Sequence, residues 1–148
     1  MKTFQSAGEM GGATLGPGPW LTVDQERVNL FAEATGDHQW IHTDPERAAQ
    51  GPFGGTVAHG YLTLSLLPML MKDLYRVEGA RMGVNYGLNK VRFPAPLRTG
   101  GKIRASAEVL SAEPTPDGGV QLVTRVTIEA DGVAKPVCVA ETVSRVYA

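Results

Sequence analysis

The chain has 148 residues, enough for one domain with a real core, and its 43% hydrophobic and 20% charged content is that of an ordinary globular protein. A formal net charge of -1 with a pI near 6.3 leaves no basic footprint for nucleic acid or for an anionic membrane surface. The single cysteine, Cys138, excludes an intramolecular disulfide and a cysteine-rich metal site.

Residues 1 to 19 are rich in Gly and Pro and read as an extended lead-in without helix. They lack the apolar core of a secretory signal, so a soluble, cytoplasmic protein is expected. Trp20 to Val23 is a short apolar strand or the end of one. Thr22 or Asp24 then opens a helix whose apolar stripe is Val28, Phe31 and Ala32, and Gly36 stops it. Asp37 to Ile41 reads as a turn. Thr43-Asp44-Pro45-Glu46 starts a short helix, with Thr43 or Asp44 as its cap, that ends at Gly51-Pro52.

The next helix is expected from about Ala58 to Gly60 through to Arg76. Its leucines and methionines cover nearly every face, the mark of a buried helix. Pro68 should kink it, because proline has no N–H for the carbonyl four residues back. Thr63, Ser65 and Pro68 interrupt the apolar run, which is too short to span a bilayer.

From Val84 the period changes from 3.6 to 2. Val84, Tyr86 and Leu88 alternate with polar or small residues, then the apolar face swaps to Val91 and Phe93, implying a bulge near Asn89-Lys90. Residues 103 to 109 and 120 to 130 alternate cleanly, separated by a Pro/Asp/Gly turn, and Asp131-Gly132 is a hairpin dipeptide. Val137 to Val146 is a last strand with two largely apolar or small faces. Helices followed by an antiparallel meander make an α+β pattern in one domain, residues 1–148, with the sheet wrapping the apolar helix. The last strand's two apolar faces suggest an edge that pairs with a second copy.

All three histidines, His38, His42 and His59, fall between Ala34 and Tyr61. Taken singly, each residue here has an ordinary reading. Asp37 can be a turn residue, His42 a neighbour of the Thr43-Asp44 cap and His59 a satisfied core histidine. His38 should be exposed, and no spacing repeats a zinc pattern.

Together they form a signature. Thr35-Gly36-Asp37-His38-Gln39-Trp40-Ile41-His42-Thr43-Asp44, then Pro52-Phe53-Gly54, then Val57-Ala58-His59-Gly60, resemble the G-D-x-N-P-x-H-x-D and a-H-G motifs of the MaoC-like hydratases. Leu88 to Leu97 is similar to that family's strand and turn after the central helix. The likeness runs from about Thr22 to the C-terminus and is nearest the single-domain (R)-specific enoyl-CoA hydratases and the nodulation-protein-N-like branch. It implies a hotdog fold, a five-stranded antiparallel sheet around a long central helix, usually as a homodimer. It also implies reversible hydration of trans-2-enoyl-CoA to (R)-3-hydroxyacyl-CoA, with coenzyme A as part of the substrate and no metal or other cofactor.

On that resemblance Asp37 is the base and His42 its partner on one water, both lining a cleft. The backbone N–H of Gly60 is the oxyanion donor. Gln39, Trp40, His59, Leu62 and Arg92 are candidates for substrate contact. Gln39-Trp40 stands where the family has Asn-Pro, and the indole is expected to wall off the acyl pocket, with Leu66 and Leu67 as further lining. A hotdog thioesterase and a non-catalytic acyl-CoA-binding subunit are the alternatives.

Overall fold

The computed structural model describes residues 1–148. In chain order the first elements are strand β1 (Lys2–Phe4), a 3-10 turn (Ala7–Glu9), and strands β2 (Thr14–Leu15) and β3 (Leu21–Thr22). Five helices follow: α1 (Gln25–Thr35), α2 (Trp40–Thr43), α3 (Pro45–Ala49), α4 (Gly60–Ser65) and α5 (Leu67–Met71). Then come β4 (Tyr75–Val77) and the long strands β5 (Met82–Arg92), β6 (Lys102–Pro114), β7 (Val120–Ala130) and β8 (Cys138–Tyr147).

The four long strands pair antiparallel in the order β6-β7-β8-β5. β2 and β3 both lie on the free side of β6, Leu15 opposite Ala107 and Leu21 opposite Ile103. They are two segments of one position, interrupted by Gly16-Pro17-Gly18-Pro19, so the sheet is five positions wide. The expected irregularity in β5 is present between Leu88 and Lys90, and a second lies between Asn85 and Gly87.

The central helix is not the single rod expected to reach Arg76. It breaks at Leu66, between α4 and α5, and ends at Met71. Pro68 sits in the first turn of α5, where its missing N–H leaves nothing unpaired. The chain then turns outward because Tyr75–Val77 pairs in parallel with Lys2–Phe4.

The lead-in is likewise more structured than Gly and Pro suggest. Ala7, Met10 and Leu15 are buried in the same core as Leu62, Leu66, Leu67 and Leu70 of the helix pair and the inner faces of β6, β7 and β8. Each fully buried leucine or methionine is worth about 1.5–3 kcal/mol relative to exposure, so the first nineteen residues help to hold the domain together.

The last strand is not an edge. β8 is paired on both sides, with β7 and with β5. Interior position, not a partner chain, accounts for its two apolar faces. The free edge on that side belongs to β5, where Val84, Tyr86 and Leu88 are exposed.

Candidate active site

Helix α1 starts on Asp24, whose carboxylate accepts from Arg27 N–H at 2.9 Å. It stops at Gly36, whose φ of 82° is a left-handed conformation that favours glycine. That reversal puts Asp37 outside the helix with its side chain in solvent, its Oδ1 accepting from Gln39 N–H at a long 3.4 Å. The stretch expected as a turn then closes into helix α2, where His42 N–H donates to Gln39 O at 3.0 Å. Asp44 caps α3 by accepting from Arg47 N–H at 3.1 Å, with Pro45 in its first turn.

The α2 turn directs His42 inward. It is buried, and its Nδ1 lies 2.7 Å from Val57 O. A carbonyl only accepts, so Nδ1 carries the proton and Nε2 keeps a bare lone pair. His59 caps α4, also buried, with Nε2 2.9 Å from the backbone carbonyl of Asp37. The same reasoning gives it the opposite tautomer: Nε2 is protonated and Nδ1, which is buried and has no hydrogen-bond partner, is bare.

The two imidazoles stack with centroids 3.8 Å apart and planes inclined by 22°, and Phe31 tilts against His59 at 4.9 Å. One Asp37 carboxylate oxygen and one nitrogen from each ring lie within 4.8 Å of one another. A water making two hydrogen bonds of about 2.8 Å at its tetrahedral angle spans about 4.5 Å, so this spacing suits a shared water. The same three groups are the ones that could offer ligands to a cation. One nitrogen of each ring is already committed to a carbonyl, so each imidazole has a single nitrogen left to offer.

Gly60 follows His59 as the first residue of α4, so its N–H has no acceptor within the helix. Phe93 lies over it: a Cβ at Gly60 would stand 3.2 Å from the Phe93 ring.

Three of the expected site residues sit elsewhere. Leu62 is a core residue, buried where α4 faces the sheet. Arg92 is exposed, its guanidinium turned back to donate to Val91 O at 2.8 Å. Trp40 is turned toward α3, its ring 4.3 Å from the Arg47 guanidinium and tight against Gly51, where a Cβ would meet it at 3.0 Å. Gln39 is exposed and contributes through its backbone. His38 is exposed as expected, 3.7 Å from Glu33.

Residue reading missed Gln25. Its side-chain amide donates to His42 O at 2.7 Å and to Asn29 Oδ1 at 2.9 Å, and its carbonyl oxygen accepts from Thr56 Oγ1 at 2.7 Å. It ties α1 to the backbone of α2 at His42 and to the Thr56 side chain in the segment before α4. The sequence offers it only as the last residue of a Thr22-Val23-Asp24-Gln25 capping pattern, because the partners in α2 and before α4 lie seventeen and thirty-one residues away.

Beyond α4 a cleft of about 770 Å³ opens between the helix pair and the sheet. Leu64, Leu67, Pro68 and Met71 line its helix side, Met10 and Leu15 come from the N-terminal segment, and β5 forms its open rim. Trp40, Leu62 and Leu66 are not among the lining residues.

A curled antiparallel sheet around a broken central helix defines a hotdog-fold protein, with an acid and two stacked imidazoles gathered where that helix begins. A MaoC like domain matches residues 7–131. The chain is 52% identical over 151 residues to 3-hydroxyacyl-thioester dehydratase Z of Mycobacterium tuberculosis, covering 100% of both chains. It is 44% identical over 137 residues to Nodulation protein N of Rhizobium leguminosarum bv. viciae, covering 90% of this chain and 84% of that one. Among solved structures, the unliganded R-hydratase PhaJ1 from Pseudomonas aeruginosa superposes with a TM-score of 0.71 at 25% identity, over 95% of this chain and 84% of that chain. The chain belongs to the MaoC-like family, and it is an enzyme of the hydratase/dehydratase class, a lyase.

Proposed function

We propose that the protein catalyses the reversible addition of water to trans-2-enoyl-CoA, giving (R)-3-hydroxyacyl-CoA. The observation that carries this is the meeting of the Asp37 carboxylate with the two imidazoles within 4.8 Å, beside Gly60. The names of the dehydratase and R-hydratase relatives support the reaction type and its hand.

In the forward direction Asp37 takes a proton from water as the oxygen bonds to C3 of the enoyl group. His42 holds the same water through its bare Nε2, so attack comes from one fixed direction. Charge moves onto the thioester oxygen, where the Gly60 N–H stabilises it. The proton taken from water is then returned to C2, leaving the pair as it began. General acid–base help of this kind is worth about 10²–10⁴-fold in rate. The absence of Cβ at Gly60 lets the thioester approach the backbone once the Phe93 ring gives way. No step in this scheme calls for a metal or a redox cofactor, and coenzyme A enters only as part of the substrate.

The apolar cleft along Leu64, Leu67, Pro68 and Met71 is the room for the acyl chain, with Met10 and Leu15 setting its depth. The active form is a homodimer joined through β5. This strand is eleven residues long, unpaired along one edge, and leaves Met82, Val84, Tyr86 and Leu88 at 53%, 39%, 59% and 48% exposure. An open, apolar edge of that length is an association site unless it is covered, and a second copy there would also close the rim of the cleft. The free, buried thiol of Cys138 suits the reducing cytoplasm, where we place the enzyme.

Incubation with crotonyl-CoA tests the reading. Loss of the conjugated enoyl absorbance, with the (R)-3-hydroxy product on chiral analysis, is expected. Release of free thiol instead would make the protein a thioesterase, and binding with neither change would make it an acyl-CoA-binding subunit.

A further inference from the structure

We infer that His59 is a positioning residue that aligns Asp37 and His42, an assignment that rests on the proposed hydratase reading. Its ring makes two different contacts, one to each member of the pair. Nε2–H donates to the carbonyl of Asp37 itself at 2.9 Å, which pins the backbone carrying the base. The ring face lies 3.8 Å from the ring of His42, which fixes the tilt of the second group. Phe31 closes the far side at 4.9 Å, so the imidazole cannot swing away.

The arrangement needs a histidine in one particular tautomer. A carbonyl partner demands the proton on Nε2, which leaves Nδ1 bare. That nitrogen is buried with no partner, on a side chain only 3% exposed. The other nitrogen is thereby committed to the backbone of the base. Asp37 itself is exposed, and its carboxylate makes only the long contact to Gln39 N–H. The carbonyl anchor to His59 is therefore the link that ties the Asp37 backbone to the start of α4.

Two substitutions separate the two contacts. His59→Phe keeps a ring for the stack and removes the donor. His59→Gln keeps a donor and removes the ring. Each should lower kcat on crotonyl-CoA by about tenfold or more, and His59→Ala by about a hundredfold, because misplacement of a reacting group by about 1 Å costs on that scale. KM should stay within about twofold for all three. Imidazole nitrogen NMR on the wild type should show His59 protonated on Nε2 and His42 on Nδ1, and in His59→Ala the His42 ring signals should shift and broaden as the ring loses its stacking partner, while the bond to Val57 O keeps its tautomer.

Variants that unfold at lower temperature yet keep wild-type kcat per folded molecule would reduce His59 to a core residue and overturn the inference. The opposite tautomer at His59 would overturn it as well. If the wild type hydrates no enoyl-CoA, the proposed function fails, and NMR alone then judges the brace: an unchanged His42 signal in His59→Ala refutes it.

Discussion

Replacing Gln25 by leucine tests whether the active-site turn is held from outside the motif. Leucine has nearly the same volume and no hydrogen bonds. The change strips the side-chain donor from His42 O and the acceptor from Thr56 Oγ1, each at 2.7 Å, and both residues are buried at 7% exposure. A net hydrogen bond is worth about 1 kcal/mol, and a buried group left unpaired costs about 1–3 kcal/mol. The bond to Asn29 is on the surface and adds little. The expected loss is about 2–4 kcal/mol, or roughly 5–15 °C in Tm for a chain of this size. Urea unfolding of both proteins at one fixed protein concentration measures it. Thr56→Val alone should cost less, and the double variant should recover about 1 kcal/mol against the sum of the singles, because the two groups are partners. kcat should fall with the loss of the His42 anchor. A Gln25→Leu protein within about 0.5 kcal/mol of wild type, or strict additivity with Thr56→Val, would refute the clamp.

Three further outcomes follow from the same geometry. Trp40→Ala should leave the chain-length profile for four- to twelve-carbon enoyl-CoAs flat, since the ring is held by Arg47 and Gly51, whereas Met10→Ala should shift preference to longer chains at about 0.8 kcal/mol per added methylene that finds room; specificity constants on both variants decide, and a broadened profile for Trp40→Ala would restore the indole as a wall. Tyr86→Lys on the exposed edge strand should turn a dimer into a monomer of 15.8 kDa by light scattering, and an unchanged mass would move the interface off β5. Burial pushes the Cys138 thiol up to about 11, so native protein at pH 8 should resist a thiol reagent that reacts at once in denaturant, and rapid native labelling would contradict the burial.

Local signals in the sequence carried through to the structure where their causes were local. Asp24 and Gly36 bound α1, Asp44 and Pro45 start α3, and Pro68 breaks the central helix, because each acts on its own backbone within a turn. The pairing of Lys2–Phe4 with Tyr75–Val77 had no such sign, since three residues of short strand find each other only once the core has brought them together. The last strand's two apolar faces were ambiguous between an interior position and an interface, and only the register with β5 separates the two. In the site, the motif marked Asp37, His42 and the His59-Gly60 pair. It could not show that the two imidazoles stack, nor that His42 is buried while Asp37 stands in solvent. Because His42 is buried, its removal will cost stability as well as rate, whereas removal of the exposed Asp37 side chain will not.

The central claim is that Asp37 activates the water, and Asp37→Asn tests it with least disturbance. The substitution keeps shape and an oxygen for the contact to Gln39, on a side chain already exposed, so Tm should not move. Measured at saturating trans-2-enoyl-CoA, turnover should fall by about 10²-fold or more. A folded Asp37→Asn enzyme that turns over at the wild-type rate would contradict the account.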